Sequence, residues 1–113
     1  MMDFIQGARV EKGSLGNLPA EGSVFGIFAM IDEAPVNCRY VGESENLAES
    51  VRALFEHPAG PGIGKFMQGP WIKMLKYELM SGSSKEEREK VMKEWKQRYK
   101  PGIDEDGDYP GYY

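Results

Sequence analysis

Ser23-Val24-Phe25-Gly26-Ile27-Phe28-Ala29-Met30-Ile31 decides the fold. It is an apolar run of strand length, rich in β-branched and aromatic residues and bounded by Gly22 and by Asp32-Glu33. Such a run reads as a buried β-strand. Asp32-Glu33-Ala34-Pro35-Val36-Asn37 reads as a turn, and Cys38-Arg39-Tyr40-Val41-Gly42 as a second strand. A connector this short has no room for a crossover helix, so the two strands pair as a hairpin. Upstream, residues 1–22 carry Gly7, Gly13, Gly16, Pro19 and Gly22 and only a brief apolar patch. They form a lead-in with at most one short element.

Downstream, Leu47, Val51, Leu54 and Phe55 fall at i, i+4, i+7 and i+8. This is the apolar stripe of a helix that Ser44 or Asn46 caps and that ends before His57-Pro58. Glycines and prolines crowd the start of residues 58–70, which read as a loop. Its Ile63, Phe66 and Met67 are either exposed anchors for a partner or tucked against the core. The spacing of Gly60, Gly64-Lys65 and Phe66 is wrong for a phosphate-binding loop. A third strand is expected over Trp71–Glu78, where Trp71, Lys73, Leu75 and Tyr77 alternate with Ile72, Met74 and Lys76. Ser84-Lys85-Glu86-Glu87 has the capping-box pattern and opens a second helix with a stripe of Arg88, Val91, Met92, Trp95 and Tyr99. Pro101 and Gly102 stop it, and an acidic tail with Tyr109, Tyr112 and Tyr113 follows.

Composition narrows the function classes. The 113 residues make one domain, and 41% hydrophobic with 28% charged residues is ordinary globular usage. One cysteine, Cys38, and one histidine, His57, exclude an internal disulfide and a Cys/His zinc site. A formal charge of −4 opposes phosphate, so nucleic-acid binding needs a local basic patch. No stretch approaches the roughly 18 apolar residues of a membrane-spanning helix, and the N-terminus lacks a signal-peptide layout. The expected setting is the cytoplasm, with no membrane partner.

The order strand, turn, strand ending in Tyr40-Val41-Gly42, amphipathic helix, strand, helix resembles the GIY-YIG nuclease domain. Gly26-Ile27-Phe28 stands for its first motif, and eleven residues separate Phe28 from Tyr40. Glu43-Ser44-Glu45-Asn46-Leu47 is similar to the family's entry into its first helix. Leu18-Pro19 resembles its approach to the first strand, and Tyr99-Lys100-Pro101 its exit from the last helix. The resemblance covers residues 17–104, with 1–16 as lead-in and 105–113 as tail. It implies a small α/β (α+β) domain, a three-stranded, mainly antiparallel twisted sheet flanked by two or three helices.

It also implies a catalytic inventory: two hairpin tyrosines, an arginine and a histidine on the first helix, and a glutamate holding a divalent metal. Arginine and metal stabilise phosphoryl charge, and a phenol positions the attacking water. In this chain the first tyrosine falls at Phe28, or at Phe25 if the motif is read three residues earlier; the second is Tyr40. Ser50 occupies the arginine position, Leu54 the histidine position and Met92 the metal-ligand position. Arg52 is two helical positions from Ser50, a rotation of about 200° that points it away from the cleft. Glu89, one turn before Met92, is the one substitute ligand.

The expectation is therefore a catalytically degenerate GIY-YIG-like module with no cofactor, whose partner is a protein. One alternative is a divergent endonuclease using Tyr40, Glu89 and Mg²⁺ or Mn²⁺; the other is an unrelated α/β interaction domain. Glu43, Glu45, Glu49 and Glu56 against Arg52 give residues 43–56 a net charge of −3, read as a solvated helix face that repels phosphate. Residues 85–100 hold seven basic and four acidic side chains. Lys90, Lys93, Lys96, Arg98 and Lys100 are the candidate nucleic-acid contacts there, weak at most. The stripes of both helices are expected to share one core with the strands bearing Ile27 and Val41.

Overall fold

A computed structural model describes residues 6–11, 15, 18–31, 34–58, 61–69 and 72–99. The run that opens the sequence reading is strand β2 (Ser23–Ile31), and it pairs antiparallel with β3 (Ala34–Ser44). The hairpin is longer than expected: β3 begins at Ala34 and takes in Pro35, which pairs with Met30. Pro35 is tolerated because β3 is an edge strand, where a missing N–H costs no ladder bond. The register skips twice, between Ile27 and Phe28 and between Phe28 and Ala29. The first skip leaves Arg39 as the extra residue, so Tyr40 and Cys38 point to opposite faces although they are two residues apart.

Four strands form the sheet, not three. Strand β1 (Gln6–Val10), inside the lead-in segment, pairs with β4 (Lys73–Leu79), and β4 pairs with β2, so the order is β1-β4-β2-β3, all antiparallel. Strand β4 starts at Lys73, and Trp71 lies outside the described residues. Its alternation is as expected: Lys73, Leu75 and Tyr77 are buried, while Met74, Lys76 and Glu78 are half-buried.

Helix α1 (Leu47–Glu56) buries all four stripe residues. Asn46 is its N-cap and accepts the Glu49 N–H at 3.1 Å. Residues 61–68, expected as loop, form helix α2 (Pro61–Gln68). Pro61 sits at the helix start, where its missing N–H is harmless. Ile63, Phe66 and Met67, at i, i+3 and i+4, are buried in the core rather than exposed. A Cβ on Gly64 would lie 2.9 Å from Pro58 Cγ, so this glycine lets α2 close against the exit of α1. Helix α3 (Lys85–Tyr99) opens on a reciprocal capping box: Ser84 N donates to Glu87 Oε1 at 2.8 Å, and Glu87 N donates to Ser84 Oγ at 3.1 Å. Those bonds hold the Glu87 carboxyl below the usual carboxylate range. Gly82, at φ +77°, makes the tight turn before the helix.

The expected single core is two cores, because the sheet lies between the helices. On one face, Ile27, Leu47, Val51, Leu54, Phe66 and Leu75 pack beneath α1 and α2. On the other, Val24, Phe28, Cys38, Val41 and Trp95 pack beneath α3, with Met92 and Tyr99 half-buried at the margin. No helix among the described residues is long and apolar enough to cross a membrane.

Candidate functional site

The motif positions divide between the two faces. Tyr40 is half-buried on the α1 face, where its ring meets Phe25 at 6.1 Å between centroids, tilted by 41°. A Cβ on Gly42 would stand 2.9 Å from Tyr40 Cε2 and 3.1 Å from Phe25 Cζ. Glycine in Tyr40-Val41-Gly42 thus makes room for both rings. Phe28 lies on the opposite face, edge-on to Tyr99 at 5.2 Å. Of the two readings of the first tyrosine position, Phe25 is the one that shares a face with Tyr40.

Ser50, at the arginine position, is half-buried, and its hydroxyl donates to Ser44 Oγ at 2.5 Å. Ser44 Oγ also accepts the Asn46 N–H at 2.8 Å, so the two serines tie the end of β3 to the first turns of α1. Arg52 is exposed and pairs with Glu49. Leu54 is 5% exposed inside the α1-face core. His57 is exposed at the C-cap, its N–H donating to Ala53 O. Met92 packs under α3 with Trp95, and Glu89 is exposed on α3. Tyr40 and the helix bearing Glu89 therefore stand on opposite faces of the sheet. Among the described residues no three His, Cys, Asp or Glu side chains group as a metal site.

Glu43 is not part of a solvated helix face. It sits on β3, and its Oε1 accepts the Arg88 Nε–H at 2.9 Å. Arg88, 3% exposed, also donates through Nη1 to Ser83 O at 2.7 Å and Ser83 Oγ at 3.2 Å, and its Nη2 lies 3.9 Å from Glu45 Oε1. Arginine belongs in the α3 stripe because its charge is matched there. Removing one member of such a pair strands the other in a poorly solvated place.

The candidate basic cluster also divides. Lys90, Lys93 and Lys96 are exposed on the outer side of α3, where Glu86 precedes Lys90 and Glu89 precedes Lys93 by four residues. Arg98 instead lines a cleft of about 500 Å³ between α3, the end of β4 and the 80–83 turn, together with Glu78, Glu87, Glu94 and Trp95. Lys100 lies outside the described residues, as do Tyr109, Tyr112 and Tyr113. The sequence reading did not find the cleft; the alternation that places Glu78 on the same sheet face as Met74 and Lys76 was its one available signal. Two further cations are buried. Arg39 is 1% exposed; Lys73 donates to Gly69 O at 3.0 Å and lies 5.5 Å from the centre of the Phe66 ring. Burial lowers the Lys73 ammonium pKa.

No protein family, curated protein or solved structure matches the chain.

Proposed function

We propose that this chain is a catalytically degenerate GIY-YIG-like domain that binds a protein partner and does not cut DNA. The observation that carries the reading is Leu54. At the position where the resemblance implies a histidine, a leucine fills the core beneath α1. Its neighbours in the inventory have equally structural duties: Ser50 braces α1, and Met92 packs beside Trp95. Phosphoryl transfer needs preorganised positive charge and a metal ligand, and removing even one such group costs on the order of 100-fold in rate. A protein partner suits the acidic chain and the exposed carboxylates of Glu45, Glu49 and Glu56 better than a polyphosphate. A cytoplasmic setting belongs to the same proposal and accords with the free, buried Cys38 thiol.

The experiment is supercoiled-plasmid nicking by the full chain with Mg²⁺ or Mn²⁺ against a chelated control. Conversion no faster than the control is expected. Metal-dependent nicking abolished by Tyr40→Phe would establish the divergent endonuclease instead.

A further inference from the structure

Helix α3 packs chiefly on β3 and β2 and only borders β4, where Lys76 lies 5.9 Å from the centre of the Tyr99 ring; no helix among the described residues is packed over β1 on this face. Side chains on that open half follow from the register. Arg9 stands opposite Met74 and Gly7 opposite Lys76. Met74 joins the α3-face core, so Arg9, Met74, Lys76 and Glu78 share this face. Lys76 lies over the Phe28 ring at 4.9 Å, toward the C-terminal end of α3. Along α3 the cleft brings Glu78 together with Glu87, Glu94 and Arg98. Along β4 the charge therefore changes sign: Arg9, level with half-buried Met74, and Lys76 lie to one side, and Glu78 with Glu87 to the other.

We propose that this open half-sheet is the contact surface of a homodimer, in which Arg9 and Lys76 of one copy face Glu78 and Glu87 of the other. A two-fold interface presses a patch against itself. With the axis lying across β4, each positive end lands on the partner's negative end; an axis along β4 would place like charges together. Charge thus selects one arrangement of the pair. The occupant is another copy of this chain because the strip's pattern complements itself. A nucleic acid would meet the three glutamates, and a purely cationic peptide would meet Arg9 and Lys76. This inference does not depend on the nuclease-like reading and survives its failure.

The test is sedimentation of the full-length chain over a concentration series, with thermal unfolding confirming that each variant is folded. Wild type is expected to show a monomer–dimer equilibrium. Lys76→Glu and Glu78→Lys each introduce two like-charge contacts per dimer, and each should weaken association by about tenfold or more. The swap Lys76→Glu/Glu78→Lys restores opposite charges across the axis and should recover most of the affinity. A chain that stays monomeric at every concentration, a dimer that tolerates both single reversals, or a swap no better than the single variants would overturn the proposal. So would a monomer in which Asp104→Asn/Asp106→Asn shifts the amide resonances of residues 74–78, which would give the face to the chain's own acidic tail.

Discussion

The two faces of the sheet are closed to different extents. Beneath α1 and α2 the core is the larger one: Leu47, Val51, Ile63 and Phe66 are each 0% exposed, and the Lys73 ammonium is buried 5.5 Å from the centre of the Phe66 ring. Beneath α3 the core is smaller and is pinned by an ion pair. Trp95 and Phe28 are buried, Tyr99 closes edge-on, and the Arg88–Glu43 pair fixes the start of the helix to the end of β3. Among the described residues two helices close the first face, whereas a single helix covers half of the second. The difference puts the larger buried core on one face and, under the dimer proposal, the contact surface on the other. On the proposed reading the α1 face fills with Leu54 the position where the resemblance implies a histidine, and the α3 face leaves a charged strip beside its helix.

Substitutions should separate the faces by magnitude. Phe66→Ala empties a fully buried aromatic site and should cost about 4 kcal/mol in urea unfolding. A loss below about 1 kcal/mol would mean that α2 contributes little to the core. Arg88→Ala should cost about 3 kcal/mol, because the half-buried Glu43 carboxylate then lacks its partner. Glu43→Gln in the same background should recover part of that loss, and purely additive effects would show that the pair is uncoupled.

The α3 face should also loosen at alkaline pH. Burial pushes the Cys38 thiol from its ordinary 9.0 up to about 12, against smaller lowering contributions from Tyr40 O, Arg39 and Lys76. Between those values the unfolded chain releases the proton and the folded chain keeps it, so stability falls as pH rises above 9.0. The slope is about 1.4 kcal/mol per pH unit for one such group. Cys38→Ala should remove that share of the alkaline slope, and an unchanged slope would assign it elsewhere. The smallest effect belongs to Ser50→Ala, which gives up one side-chain hydrogen bond and should cost about 1 kcal/mol. Retained stability there would show that the serine pair is incidental.

Periodicity made much of this legible. The stripe from Leu47 to Phe55, the Ser84–Glu87 cap and the alternation along β4 all have strong local signals, and each is present in the structure. Where local and tertiary signals conflict, reading failed. Pro61, Gly62 and Gly64 argue for a loop, but burial of Ile63, Phe66 and Met67 outweighs their helix propensity. Glu43 looked solvent-facing because its partner is 45 residues away in sequence. The division of Phe28 from Tyr40 follows from the pairing of Tyr40 with Ile27, and the skip that turns Cys38 to the other face leaves no mark in composition.

The most direct test of the central claim, that packing has taken over a position used for chemistry in the resembled family, is Leu54→His. Its stability is measured by urea unfolding at neutral pH. A polar ring in a site that is 5% exposed should cost about 3 kcal/mol. Wild-type stability, with a histidine that titrates near its ordinary value of about 6.5, would mean that position 54 opens onto a cleft and would contradict the account.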